Sequence, residues 1–463
     1  MLRSRAIEQY KAGNLPDAQH KLETLVKETP EDWEAWNMLG ALYGMQGNYL
    51  QCEHCCRQVI ALMPTVHSTH NNLGNALKYQ GKTGEARNAY ASALQINPDY
   101  PEALNNLGNL ERETGNHKTA IDLFERAIKI NPGYSQAYNN LGNVYKDQGD
   151  LKRALQAYTT ALNHNPDYPD ALINTGMIYQ LEDQLEEAER YYRKSLLLDP
   201  QNKEAIFNLG VILEIHGDLT KAEQCFRNVL KQDPDHVHAN YFLASIRAEN
   251  VPDKSPPEYV SGLFDTYAPN FDEHLVHHLS YHVPEQLFAF TLAHTSGLSD
   301  LSILDLGCGT GLCGVAFKSL ASHMDGVDLS GNMVKKTTAR GIYDSVYQED
   351  VTTFLASRRN TYDLLVSADV FIYIGELEPL FDAASHALHS DGYFCFSVEH
   401  EDTDKYKLRT SGRYAHGTTY LHTLANTFDF SIIAIQDCII RKERGSEIEG
   451  QLVLMQSNKV ASQ

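Results

Sequence analysis

Residues 304–311, Leu-Asp-Leu-Gly-Cys-Gly-Thr-Gly, carry a carboxylate at Asp305 and glycines at alternate positions, Gly307, Gly309 and Gly311. Glycine at a strand-to-helix turn lets a ligand lie against the backbone where a Cβ would collide. A dinucleotide fingerprint wants glycine or alanine three residues after its second glycine. That position is Leu312; glycine comes at Gly311 instead, and the strand adds Asp305. A second carboxylate, Asp328, ends the run Gly326-Val327-Asp328, where it can accept from both hydroxyls of a ribose. A third, Asp350, suits an adenine amine, with the backbone of Val351 beside it. Together they favour S-adenosylmethionine, a nucleoside ligand with no pyrophosphate to seat.

Acceptor chemistry has its own candidates. Methyl transfer from a sulfonium is an in-line displacement that needs alignment, and a base if the acceptor must lose a proton. Tyr362–Asp369 reads as a fourth strand that brings Asp369, a further candidate for the cofactor, and Tyr373 to the carboxyl edge of a sheet, where open α/β sheets bind ligands. A fifth strand over Gly392–Val398 delivers Glu399 and His400 to the same edge, and Tyr414 and His416 follow. Tyr373, His400, Tyr414 and His416 are therefore the candidate catalytic groups. The segment Ala368-Asp369-Val370-Phe371 lacks the Asn-Pro-Pro-Tyr type of signature, which argues against methylation of an exocyclic nucleic-acid amine. No metal is expected: Cys52, Cys55 and Cys56 take helix-packing positions without a second ligand pair, and His274, His277, His278 and His282 suit a polar helix face.

The elements that must hold these residues are legible from periodicity. After Val251–Pro257, with three prolines, short apolar runs alternate with amphipathic stretches, the pattern of a mainly parallel sheet covered by helices. Before it, prolines recur at 30, 64, 98, 132, 166, 200 and 234, each 34 residues from the next. Gly40, Gly74, Gly108, Gly142, Gly176 and Gly210 keep the same beat, as do Ala86, Ala120, Ala154, Ala188 and Ala222 and the aromatics four residues beyond them. This matches the tetratricopeptide repeat over nearly all of residues 1–236, with a capping helix over 237–250. Such helix pairs stack into a solenoid whose concave surface binds extended segments.

A ladder of Asn72, Asn106, Asn140, Asn174 and Asn208 falls on the first helix of successive repeats, with Asn71, Asn105 and Asn139 beside it. Asparagine offers a donor and an acceptor together, which suits a peptide backbone. The ladder resembles that of O-linked N-acetylglucosamine transferase, which holds substrate peptides; local capping or packing is the alternative reading. In the second half, the glycine loop, Asp328 and Asp350 resemble motifs I to III of class I S-adenosylmethionine-dependent methyltransferases. The resemblance implies that Asp305 orients the loop and the methionine moiety, Gly307, Gly309 and Gly311 admit the cofactor, Asp328 holds ribose, and Leu329 and Met333 flank adenine. Leu263–Asp272 resembles a lid segment that precedes motif I, through which Tyr267 reaches the cofactor. Over nearly its full length the chain resembles a family of tetratricopeptide-repeat methyltransferases.

The expected fold is thus multidomain: an all-α tetratricopeptide-repeat solenoid over 1–250, a linker over 251–258, and an α/β class I methyltransferase domain over 259–463, Rossmann-like, with a seven-stranded mainly parallel sheet. The repeats imply a protein or peptide partner. Of the net charge of −21, −8 falls on residues 1–250 and −13 on the rest, so both halves repel phosphate backbones and nucleic acid is not expected. Eight cysteines without framework spacing fit reduced thiols, and neither a secretory leader nor a membrane span is read, so a cytoplasmic location is expected.

Overall fold

The computed structural model describes residues 2–268, 271–273, 281–443 and 446–459; of Tyr267 it describes only the main chain. His274, His277 and His278 lie outside the described residues. The chain forms two compact units, residues 1–200 and 201–463.

The first unit is helical throughout. From the second repeat on, a first helix of 13 residues, such as Ser135–Asp147, is followed by one of 14, such as Leu151–His164. The turn between them needs a left-handed residue, supplied by Gly13, Gly47, Gly81, Gly115 and Gly149, and in the sixth repeat by Asp183 at φ 56°. The periodic glycines within the first helices have a different cause. A Cβ on Gly74, Gly108, Gly142 or Gly176 would stand 2.4–2.7 Å from the ring of Tyr90, Phe124, Tyr158 or Tyr192 on the partner helix. Gly142→Ala should therefore destabilise the unit by about 1–3 kcal/mol through overpacking. Urea denaturation would measure it, and the same substitution should cost less in a Tyr158→Leu background. In the second repeat Cys56 takes the aromatic position; Cys52, Cys55 and Cys56 are buried thiols in the helix Tyr49–Leu62.

The second unit begins with helices Lys203–Ile215, Leu219–Gln232 and Val237–Arg247, followed by an α/β region. Its strands are β1 (Leu301–Leu306), β2 (Ala321–Asp328), β3 (Ser345–Gln348), β4 (Tyr362–Ser367), β5 (Leu388–His400), β6 (Tyr406–Leu408), β7 (Tyr414–His416), β8 (Phe430–Glu443) and β9 (Ser446–Ser457). The order runs β3-β2-β1-β4-β5-β9-β8; the first five are parallel and β9 is antiparallel to both neighbours. These are the seven strands the sequence predicts. Two more form a hairpin: β7 pairs with Glu399 and His400, beyond the last β4 pair at Ser367 and Phe396. They escaped the reading because three-residue strands leave no periodic signal.

Both sheet faces are covered. Leu304, Leu306, Leu365, Phe394 and Val453 join one core, while Ile303, Leu364, Val366, Cys395 and Leu454 join another. That is why β1, β4 and the middle of β5 read as near-continuous apolar runs. Asp305 shares the face of Ile303 by the period-two rule, so the strand that supplies the core also buries the carboxylate.

The proline-rich segment after 250 is extended and bonded to the α/β region. Asp253 O accepts from Gly375 N and Glu376 N, each at 2.8 Å, Ser255 N donates to Tyr373 O at 2.8 Å, and Lys254 bridges Ile374. The helix Val237–Arg247 reaches the β6–β7 turn as well: Tyr241 Oη donates to Gly412 O at 2.8 Å and lies 2.7 Å from Ser255 Oγ. No helix among the described residues is long and apolar enough to cross a membrane.

Candidate active site

The site is built where β1, β2 and β4 end. Gly307 N and Cys308 N both donate to Val327 O, at 2.8 and 3.0 Å, which folds the loop back over β2. Gly307 is left-handed at φ 69°, and a Cβ there would stand 2.3 Å from Val370 Cγ2, so no other residue fits. Gly309, at φ 53°, has space instead: its nearest neighbour would be Phe271 Cε1 at 3.8 Å. Gly311, at φ 94°, opens the helix Leu312–Phe317.

Asp328 ties this loop to the next helix. Its Oδ2 accepts from Gly309 N and its Oδ1 from Ser330 N, both at 2.8 Å. Burial pushes its pKa up to about 6, against the pull of those N–H donors. Asp305 is 2% exposed and is raised to about 7, mainly by burial. Tyr343 Oη donates to its Oδ2 at 2.6 Å, whereas Oδ1 is buried and has no hydrogen-bond partner among the described residues. An unpartnered buried carboxylate oxygen beside a glycine loop with open space at Gly309 fits a ligand that brings a donor or a cation.

Apart from Tyr267, the remaining predicted cofactor residues follow β2, β3 and β4 in the chain. Leu329 is half-buried and Met333 wholly buried, its N–H bonded to Ser330 Oγ at 3.1 Å. Asp350 caps the helix Val351–Ala356, with Oδ1 accepting from Thr352 N and Thr353 N at 3.1 Å and Oδ2 3.2 Å from Lys254 Nζ. Val351 is buried at the first position of that helix. Asp369 lies at the β4 end at φ 58°, its two oxygens 3.0 and 2.9 Å from Arg441 Nη1. The Tyr267 side chain lies outside the described residues.

Two of the four acceptor-side candidates stand apart from the rest. Tyr414 is wholly buried and donates to Pro252 O at 2.6 Å, with its pKa raised by burial. His416 is also wholly buried; its Nε2 lies 2.9 Å from Ile374 O, and burial lowers its pKa to about 4. Both side chains bind the hairpin to neighbouring backbone. Tyr373 is partly exposed and packs against Phe264 with ring centroids 5.5 Å apart; burial raises its pKa. His400 ends β5 with Nδ1 buried and unpartnered among the described residues.

Several residues escaped the sequence reading. Tyr343 is one, since it lies 38 residues from the Asp305 it bonds. Asp265 accepts from Ser330 Oγ at 2.5 Å and from Asn332 N at 3.2 Å, and Asp272 pairs with Thr310 and Arg340. Both aspartates stood in the quoted lid segment, but no role was assigned to them. Arg441, 3% exposed, binds Asp369 and Glu399.

Comparison with known proteins bears on the class. Residues 304–396 match the model of a methyltransferase domain, and residues 3–50, 71–135, 135–168 and 179–246 match tetratricopeptide-repeat models. The chain thus joins segments similar to tetratricopeptide repeats to a region similar to methyltransferase domains. Among curated relatives, the ubiquinone biosynthesis O-methyltransferase of Paraburkholderia xenovorans is 25% identical over 26% of this chain and 52% of its own length. The malonyl-[acyl-carrier protein] O-methyltransferase of Bacillus anthracis is 29% identical over 25% and 44%, and the tRNA1(Val) (adenine(37)-N6)-methyltransferase of Yersinia enterocolitica is 30% identical over 21% and 50%. The chain thus spans about half the length of the curated relatives it matches. A solved structure, the PilF protein of Pseudomonas aeruginosa, aligns over 46% of this chain and 96% of its own at 21% identity and a TM-score of 0.41.

Proposed function

We propose that the protein is an S-adenosylmethionine-dependent methyltransferase whose acceptor is a protein or peptide recruited by the repeats. The cofactor supplies an electrophilic methyl on a sulfonium. This chain's share is to hold it: the glycine loop admits it, Asp305 Oδ1 accepts from its ammonium, and Asp328 accepts from ribose hydroxyls with lone pairs not used by Gly309 and Ser330. Asp369, read from the sequence as a cofactor contact but tied through Arg441 to Glu399 at the end of β5, joins Tyr373 and His400 on the acceptor side, and Tyr373 or His400 takes a proton where the acceptor must lose one.

The observation that supports a peptide acceptor is how the asparagines are held. Asn106 Nδ2 donates to Asn71 Oδ1 at 3.0 Å, Asn140 to Asn105 at 2.8 Å and Asn174 to Asn139 at 2.9 Å. The acceptors are buried and the donors half-buried, so each ladder amide keeps one orientation and presents its carbonyl oxygen and second N–H at the repeat pitch. Asn72 begins the series and Asn208 lies in the second unit. Local packing alone needs one bond per amide; a repeating, preorganised donor and acceptor pair suits an extended backbone. A second reading, methylation of a small or carrier-bound molecule with the repeats serving assembly, is favoured by the first two relatives.

Transfer of a labelled methyl group in lysate, followed by sizing of the product, tests the first against the second. We expect label in protein. The triple variant Asn106→Ala, Asn140→Ala and Asn174→Ala should lose about tenfold or more in kcat/KM for that protein while cofactor affinity is unchanged. Label only in small molecules, or an indifferent triple variant, overturns the peptide acceptor.

A further inference from the structure

Tyr343 has no place in the loop motif, yet three glycines surround it. A Cβ on Gly314 would stand 2.4 Å from its ring and hydroxyl, one on Gly326 3.1 Å and one on Gly311 3.2 Å. Inverting the usual reading of a glycine loop, these residues leave room for a side chain of the protein as well as for a ligand. The hydroxyl so placed accepts from Gly314 N at 3.0 Å and donates to Asp305 Oδ2 at 2.6 Å. With its one proton committed to Oδ2, the phenol fixes the Asp305 rotamer and leaves Oδ1 as the oxygen without a partner among the described residues.

We propose that Tyr343 is a positioning residue that holds Asp305 so that Oδ1 alone meets the ammonium of the cofactor's methionine moiety. This rests on the cofactor reading above. The titratable groups facing Asp305 are Tyr343, which follows the helix Gly331–Arg340, Asp328 from the end of β2, Cys308 from the loop, Cys313 from the helix Leu312–Phe317, and Tyr281, while the Gly314 N–H also favours the ionised carboxylate. Tyr343 is the only one of these five that donates a hydrogen bond to the carboxylate among the described residues, so it opposes the effect of burial, which has raised Asp305 to about 7. Removing the hydroxyl raises that value further, and ammonium binding should then fail at a higher pH.

The test is calorimetric titration of the full-length chain with S-adenosylhomocysteine and with 5′-methylthioadenosine, which lacks the amino-acid end, between pH 5.5 and 8.5. For Tyr343→Phe we expect about tenfold weaker S-adenosylhomocysteine binding near pH 7, unchanged methylthioadenosine binding, and an alkaline shift of the pH midpoint for the former alone. In an Asp305→Asn background Tyr343→Phe should have no further effect on the ratio of the two affinities. Equal loss of both ligands marks a merely structural tyrosine and overturns the proposal, as does an unshifted pH midpoint or additivity in the double variant. Absence of S-adenosylhomocysteine binding by the wild type overturns the cofactor reading instead.

Discussion

Asp328→Ala is expected to abolish measurable cofactor binding and to unsettle the apoprotein. Its two oxygens accept from Gly309 N and Ser330 N, so truncation orphans two N–H groups around a side chain that is 8% exposed. Each orphan costs about 1–3 kcal/mol, and loss of the hydroxyl contacts should weaken S-adenosylmethionine by about a hundredfold or more. Calorimetry and thermal denaturation separate the two effects. Asp328→Asn gives the finer result. The folded unliganded chain raises Asp328 to about 6 through burial, so the ionised form is the disfavoured one. Its contribution to stability is whole below the ordinary carboxylate range near 4 and is lost as pH rises through 6. Wild type should therefore lose stability relative to Asp328→Asn between about pH 4 and 7, and a constant difference across that window would refute burial as the dominant cause. A ligand that favours the ionised form reverses the trend, so cofactor stabilisation should grow over the same range.

What could be read beforehand follows from how each feature is encoded. The repeats were legible because one steric fact, a glycine under an aromatic ring, recurs every 34 residues; Gly142 and Tyr158 say the same thing as Gly74 and Tyr90. β1, β4 and the middle of β5 were legible because both faces of the sheet are buried there, which leaves apolar runs, whereas β3 and β8 are only partly buried. The glycine loop, Asp305 and Asp328 were legible because they are close in sequence and in space. Tyr343 was not: it lies 38 residues from Asp305. Asp350 was read for adenine, yet the structure also uses it as a helix cap and as the partner of Lys254. Tyr414 and His416 were drawn in by residue type alone. A tyrosine or histidine at a strand end looks alike in sequence whether its polar atom faces a ligand or a carbonyl.

The second large effect is expected at Arg441, and it tests how the acceptor edge is held. This guanidinium, 3% exposed, reaches Asp369 from Nη1, Glu399 from Nη2 and Glu443 at 3.4 Å from Nε, while Glu399 also meets Arg409 Nη1 at 2.7 Å. Four acids, counting Glu401, and the arginines 409, 413 and 441 so add a charged network to the sheet pairing that joins β4, β5, β8 and the β6–β7 turn. Replacing a whole buried network with apolar groups is often neutral, whereas removing one member leaves its partners as uncompensated buried charges. Arg441→Leu should therefore destabilise the protein by about 3–5 kcal/mol, measured by denaturant unfolding. Pairing it with Glu399→Leu should return part of that loss, because the most buried anion goes with the cation. The functional consequence falls on Asp369, whose left-handed backbone is held by Arg441 on its carboxylate and by Ser397 Oγ on its N–H at 2.9 Å. Arg441→Lys keeps the charge but not the fork that serves three acids at once. It should retain most of the stability and bind S-adenosylhomocysteine as wild type does, yet slow methyl transfer, since the carboxylate it steers lies on the acceptor side. Equal turnover by Arg441→Lys and wild type would place the network in stability alone.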